Sequence, residues 1–212
     1  EIDSQDYVVE LVRTNLYQGE RKVRSVSGED IPNSFVPKHY WGRREGESES
    51  QFAISISASN ISGLFDYQDE HWEIGKIRGS NGYYSFYRSS DVLKSPNYTC
   101  FTDSSFFIGN SGFTEGVVSN NGIKCIDLYV EVDYEIFTDK GENLIQTTNF
   151  IEAVLSQVFL LYANEGIEMR LSELLIWDVP DPYEGISSFD FLGQFKNTMD
   201  GNFNGDLAHL IG

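Results

Sequence analysis

Apolar and polar positions change rhythm several times along the chain, and the clearest succession lies between Cys125 and Gly212. From Cys125 to Phe137, Ile126, Leu128, Val130, Val132 and Tyr134 alternate with Asp127, Tyr129, Glu131 and Asp133, a period of two that predicts a strand. After Asn143 the period changes. Ile151, Val154, Leu155, Val158 and Tyr162 recur at spacings of three and four, which predicts a long helix capped by Asn143 and closed at Gly166. Ile167 to Trp177 is the next expected strand. Two prolines and a glycine between Asp178 and Gly185 force a turn, and Ser187 or Ser188 then caps a helix carrying Phe191, Leu192, Phe195 and Met199. Asp206 to Ile211 is short and apolar, the pattern of a strand buried on both faces. Two β-α-β crossovers in succession call for a mostly parallel sheet.

Upstream the pattern is different. Short β-type runs occur at Tyr7 to Val12, Val23 to Val26, Phe52 to Ile56, Trp72 to Ile77 and Tyr83 to Tyr87. Between them stand turn signals at Gly28 to Asn33, Gly42 to Ser50, Gly63 and Gly79 to Gly82, so an antiparallel β module is expected. Arg43 to Ser50 is a charged loop joining two strands of a hairpin. Residues 101–121 are broken by glycine and asparagine and read as a linker. The expectation is an α+β chain: an antiparallel β module over residues 1–121, then a mostly parallel α/β unit over 122–212 that stops part-way through its domain.

Charge narrows the function. With 15 Lys and Arg against 33 Asp and Glu the net charge is -18, which speaks against nucleic acid and anionic membrane surfaces as partners. No run of eighteen apolar residues calls for membrane insertion, and the low lysine content with abundant Ser, Asn, Tyr and Gly fits an extracellular protein. The two cysteines, Cys100 and Cys125, are too few for a disulfide scaffold, although one bridge between them would tie the first module to the second.

Four runs in order, YVEVDYEIF, GENLIQTTNFIEAVLSQVFLLYANEGI, LSELLIWDVPDPY and FNGDLAHLI, resemble the first half of the catalytic domain of reprolysin-type (adamalysin-like, metzincin) zinc metallopeptidases, most of all secreted bacterial members. The order of β runs upstream is similar to the propeptide of the same family. What the resemblance implies is a secreted metalloendopeptidase acting on protein or peptide substrates, whose zinc is held by His-Glu-x-x-His-x-x-Gly-x-x-His on a segment after the last strand here. The chain carries three histidines, His39, His71 and His209, and none belongs to that motif, so residues 1–212 alone are expected to be inactive and to bind no zinc. A non-catalytic extracellular binding module on the same scaffold is the other reading.

The resemblance also marks single residues. Cys100 matches a propeptide cysteine whose thiolate occupies the zinc; its other roles would be a disulfide with Cys125 or a buried thiol. Asp127 and Asp206 match acidic positions that help hold a structural calcium ion in family members, and otherwise read as surface carboxylates. Glu131, Asp133 and Glu135 read as a solvated strand face, and His209 as a core histidine. Trp41, Trp72, Tyr83, Tyr84 and Tyr87 read as cross-strand packing before a sugar-binding platform. Asn60 and Asn97 open glycosylation sequons. A propeptide is expected over the carboxyl ends of the parallel strands, and apolar residues Leu207 and Leu210 at the last strand are expected to drive self-association.

Overall fold

The computed structural model of the protein describes residues 8–29, 31, 36–48, 50–67, 70–77, 79–93, 124–199 and 201–212. Two sheets enclose one long helix. The antiparallel sheet has the order β1 (Val9–Thr14), β3 (Lys38–Arg44), β4 (Gln51–Ile56), β5 (Ile61–Tyr67), β6 (Glu70–Lys76), β7 (Tyr84–Arg88). The parallel sheet has the order β10 (Leu207–Ile211), β8 (Lys124–Val132), β9 (Ile167–Ile176), β2 (Val23–Ser25). Helix α2 (Leu144–Asn164) joins β8 to β9, and α3 (Ser188–Met199) joins β9 to β10. The chain is therefore of the α+β class, with an antiparallel sheet followed by a parallel α/β unit.

The helix forms where its pattern predicts. The Asn143 side chain accepts a hydrogen bond from the Gln146 amide at 3.0 Å, satisfying one of the free donors of the first turn. Gly166 takes φ 74°, the left-handed conformation that ends a helix, and β9 starts at the next residue. Leu144, Ile151, Leu155 and Phe159 form the stripe that meets the parallel sheet, packing with Val130, Val132, Leu171, Leu174 and Ile176 in a single core. Ala153, Ser156 and Leu160 are also buried, because the antiparallel sheet covers α2 through β3, β4 and β5. Being covered on both sides is why α2 is apolar on two faces, while Phe150, Val154, Leu161 and Tyr162 remain exposed.

Several expectations change. β8 ends at Val132, and the residues read as its continuation form a short helix, α1 (Tyr134–Asp139), because the Asp133 carboxylate accepts from the Ile136 amide at 2.8 Å and caps a turn there. Val23–Ser25, read as part of the antiparallel module, instead pairs in parallel with Leu174, Leu175 and Ile176 of β9. Leu16 and Gln18 prepare that pairing through bonds to Leu171 of 2.6 and 2.9 Å. Lys38–Arg44 and Ile61–Tyr67 are strands that carry no clear alternation in sequence. Gly63 lies inside β5 rather than at a turn, since a Cβ there would stand 2.6 Å from the Ala53 carbonyl oxygen of the neighbouring strand. β10 is an edge strand with Leu207 and His209 exposed, not a strand buried on both faces. Arg43 to Ser50 does close a hairpin, between β3 and β4.

The double covering of α2 makes its central residues the most sensitive in the described chain. Ile151→Ala should destabilise the protein by about 2–5 kcal/mol, whereas Val12→Thr, at an exposed position on β1, should stay within about 0.5 kcal/mol of the parent. Urea unfolding followed by circular dichroism reads both; equal midpoints for the two variants would remove α2 from the centre of the fold.

Candidate functional site

Polar groups interrupt α2 at spacings of four and eight. Glu152, Ser156 and Asn164 all face the N-terminal part of the chain: Trp41 Nε1 donates to Ser156 O at 3.0 Å and to its Oγ at 3.1 Å, and Asn164 donates to Gln51 Oε1 at 2.5 Å. Glu152 is the centre of the stripe. Its side chain is 1% exposed, and its Oε1 accepts from the Tyr17 hydroxyl at 2.6 Å and from Arg21 Nε at 2.8 Å. His39 comes from β3, with its side chain 7% exposed, Nδ1 bonded to Ser55 Oγ at 2.8 Å and Nε2 3.6 Å from Glu152 Oε2. Among the described residues neither His39 Nε2 nor Glu152 Oε2 has a hydrogen-bond partner. Both residues line a cleft of about 470 Å³ whose wall also includes Arg13, Leu16, Val36 and Pro37.

Three separate stretches thus meet one buried carboxylate: the segment carrying Tyr17 and Arg21, the antiparallel sheet through His39, and α2 itself. A buried carboxylate is tolerated only with a cation and donors around it, which Arg21 and Tyr17 supply. Burial, with Glu152 adding to it, pushes the Tyr17 phenol well above its ordinary range.

A second carboxylate lies on the other face of the parallel sheet. Glu131 is 0% exposed, which overturns the expectation of a solvated strand face. Its Oε1 accepts from the Tyr129 hydroxyl at 2.7 Å, and its Oε2 from Trp177 Nε1 and the Tyr183 hydroxyl, each at 2.8 Å. Tyr183 also stands edge-on to Phe195 of α3, so the turn after β9 and the helix that follows it together close over Glu131. Burial raises both phenols above their ordinary range, with the bond to Glu131 adding to it. Asp133 is buried too; burial raises its carboxyl, and Asp181 and Glu135 push the same way against the Ile136 amide. Glu135, the third of the series, is exposed on α1.

The residues expected to act elsewhere are placed as follows. Asp127 and Asp206 are brought side by side: the Asp127 amide donates to Asp206 Oδ2 at 2.8 Å, and the Asp206 amide to the Asp127 carbonyl at 2.7 Å. Gly205 makes this approach feasible, since a Cβ there would stand 2.7 Å from the Asp127 carbonyl oxygen. The Asp127 carboxylate is spent on Arg170, at 3.0 Å from both Nε and Nη2. Cys125 is exposed, with its Sγ 3.5 Å from Glu168 Oε2. Cys100 lies outside the described residues, and with it both the proposed zinc-blocking thiolate and the Cys100–Cys125 bridge. Asn97 and the expected linker over residues 101–121 lie outside them as well.

His209 is exposed on β10 rather than held in a core, and His71 pairs with Asp66 across β5 and β6. Trp41 faces α2, while Trp72 stacks on Phe86 with centroids 5.1 Å apart and carries the Arg88 guanidinium 4.8 Å from its own centroid, so these aromatics serve packing. Among the described residues no group of three His, Cys, Asp or Glu side chains converges on a point where a metal ion could sit. The zinc and calcium implied by the resemblance have no ligand set among them. No protein-family model matches the chain, and no curated protein matches its sequence.

Neither buried carboxylate was foreseen as such. For Glu152 the signal was present, a charged residue inside an apolar helical stripe; for Glu131 it was the pair of aromatics in WDVPDPY that turn back over the strand.

Two outcomes are expected. Glu152→Ala leaves the Arg21 guanidinium and the Tyr17 hydroxyl buried without their acceptor and should cost about 3–5 kcal/mol in urea unfolding. The folded chain holds the Tyr17, Tyr129 and Tyr183 protons more tightly than the unfolded chain does. The stability tied to them is therefore intact below the unfolded phenol value of about 10 and is lost as pH rises beyond it. Tyr183→Phe should make that alkaline loss shallower, while costing about 1–3 kcal/mol at neutral pH through the donor removed from Glu131. An alkaline slope identical to the parent's would show that the Tyr183 proton is not held by the fold.

Proposed function

We propose that residues 1–212 are the proregion and the opening part of the catalytic domain of a secreted zinc-dependent metalloendopeptidase, acting on protein or peptide substrates. The observation that carries this reading is the sheet β10-β8-β9. The segments in which the sequence resembles reprolysin-type peptidases fold as consecutive elements of one parallel sheet with its crossover helices. In it the two acidic positions singled out by the resemblance, Asp127 and Asp206, sit within hydrogen-bond reach of each other. Residues 1–212 supply the scaffold. The zinc ligands and the glutamate that acts on the zinc-bound water belong, on this reading, to a segment following Gly212 in the gene product.

Among the described residues the antiparallel sheet meets the parallel unit across α2, while at the carboxyl end of β9 it is Val26 and Ser27 that bond, to the Ile176 carbonyl and the Asp178 carboxylate. Inhibition would rest with Cys100, which matches the propeptide cysteine that the resemblance marks and whose thiolate would take the position that water needs on zinc. Docking on α2 is equally suited to a permanent, non-catalytic extracellular binding module, which is the second reading.

The gene product extending past Gly212 separates the two. It should bind about one zinc ion per chain and hydrolyse a quenched fluorescent peptide in a chelator-sensitive way. Cys100→Ala should raise the activity of its unprocessed form, and residues 1–212 alone should cleave nothing. A longer product without zinc and without hydrolysis would leave the binding module as the function.

A further inference from the structure

The two faces of the antiparallel sheet differ in charge. Trp41 and Gln51 bond to α2 and His39 stands beside Glu152, so these three side chains point inward. Alternation and pairing register then send Arg13, Lys38, Arg44, Lys76 and Arg88 to the outer face, five of the six Lys and Arg in the six strands. Of the four Asp and Glu in the same strands, only Glu70 shares that face. In a chain of net charge -18, composition alone would favour the reverse. Three of the five cations have partners: Arg44 with Glu47 at 2.8 Å, Arg88 with Glu70 at 3.3 Å, and Lys76 Nζ, which donates to the Ser59 carbonyl at 3.0 Å. Arg13 and Lys38 are exposed and have neither an ion pair nor a side-chain hydrogen bond among the described residues. Arg13 lies opposite Tyr40, and Lys38 precedes Tyr40 by two residues, so the two cations are diagonal neighbours on one face.

Beside these cations the face is apolar. Tyr40 pairs with Ile54, and Lys38 with Ile56, which is 40% exposed. The complement of such a corner carries carboxylates and aliphatic groups on one side of itself. Nucleic acids and acidic polysaccharides bring anions without aliphatic side chains. A sugar seeking a ring to stack on would also meet Tyr67 and Trp72 already carrying the Arg44 and Arg88 guanidiniums. An extended polypeptide meets both demands, since its alternate residues share a side at a spacing of roughly 7 Å, close to that of diagonal neighbours in a sheet. Two carboxylates so spaced reach Arg13 and Lys38 together, and the alternate residues that follow lie over the isoleucines. We propose that the corner formed by Arg13, Lys38, Tyr40, Ile54 and Ile56 docks an extended acidic and aliphatic segment of another protein, its carboxylates on the two cations and its apolar side chains on Ile54 and Ile56. The proposal rests on the antiparallel sheet alone and holds for either reading of the function.

Calorimetric titration of the 212-residue chain with the blocked peptide Glu-Ser-Glu-Ser-Leu-Ser-Leu-Ser tests it. Saturable binding with a Kd at or below about 1 mM is expected, and it should weaken as salt is raised from about 0.05 to about 0.5 M, because the contacting charges are exposed. The double variant Arg13→Glu with Lys38→Glu should weaken it by about tenfold or more. Ile56→Ser should weaken it by about fivefold through lost apolar contact. Lys196→Glu, a single reversal at an exposed position on α3, should leave it unchanged. Circular dichroism matching the parent's certifies each variant as folded. No saturable binding up to about 10 mM peptide, or equal binding of peptides with Lys in place of Glu or Ser in place of Leu, would overturn the proposal. So would binding that the double reversal does not alter, or a heparin fragment binding more tightly than the peptide, which would make the corner a site for polyanions in general.

Discussion

One helix buried from two opposite sides governs this structure. A helix between two sheets has little surface left for water, so a polar side chain on its covered faces calls for a partner inside the protein. α2 meets this constraint by dividing its circumference. Its large apolar residues, Ile151, Leu155 and Phe159, go to the parallel sheet, where they complete the core with β8 and β9. Its small and polar ones, Glu152, Ala153, Ser156 and Asn164, go to the antiparallel sheet, where small side chains permit close approach and the polar ones bond to Trp41, Gln51, Tyr17 and Arg21. The antiparallel sheet is thus fastened by direction as much as by area. Polar contacts at fixed positions along α2 allow one register, where a purely apolar face would allow several.

That fastening explains why the chain does not divide where its sequence pattern divides. The first strand runs in the antiparallel sheet, the next segment crosses to pair with β9, and β3 returns to the antiparallel sheet. The stitch is short, three residues in β2. It is anchored on either side by the Leu16 and Gln18 bonds to Leu171 and by the Lys22 carbonyl, which accepts from Leu174 at 2.9 Å. It also covers the backbone edge of β9, which would otherwise be open to pairing with another chain. The opposite edge, β10, has no such cover among the described residues.

The parallel unit was legible to within a few residues because each of its signals is local: the alternation in β8, the three-and-four spacing in α2, Asn143 and Gly166 at its ends, and the prolines after Trp177. What could not be read depends on partners distant in sequence. Asp133 turns the end of a good strand pattern into a helix start, because a capping side chain outweighs weak β-propensity at a strand end. Val23–Ser25 is too short to state its own partner, and parallel pairing leaves no hairpin signature. Gly63 carries a turn residue's identity into the middle of a strand, for a reason visible only once Ala53 lies beside it. Glu131 sits at a position that alternation alone sends to the outer face. That face is covered only because Trp177 and Tyr183, from the far end of β9 and the turn beyond it, fold back over it. The candidate cleft follows the same rule: Glu152 stands out as a charge within an apolar helical stripe, but Tyr17, Arg21 and His39 are ordinary in their own stretches, and only the fold brings them to it.

The two buried carboxylates differ in a way that bears on what each can do. Glu131 is held by three neutral donors, all from the parallel unit itself, and both its oxygens are occupied. It fixes the turn after β9 against the sheet and leaves nothing for another molecule. Glu152 is held by Arg21 and Tyr17 on one oxygen only, and every group that reaches it comes from the N-terminal part of the chain. Removing that part would strip a buried charge of its cation and donors at once, in a setting where such groups are costly to leave unpaired. Cutting the chain between Leu93 and Lys124 would remove a covalent link but none of these bonds, nor the β2–β9 pairing. On the proregion reading, then, cleavage and release are separate events. The second breaks the Glu152 contacts together with the β2–β9 pairing and the Trp41 and Gln51 bonds to α2, and of these the Glu152 contacts are the ones whose loss leaves a buried charge unpaired.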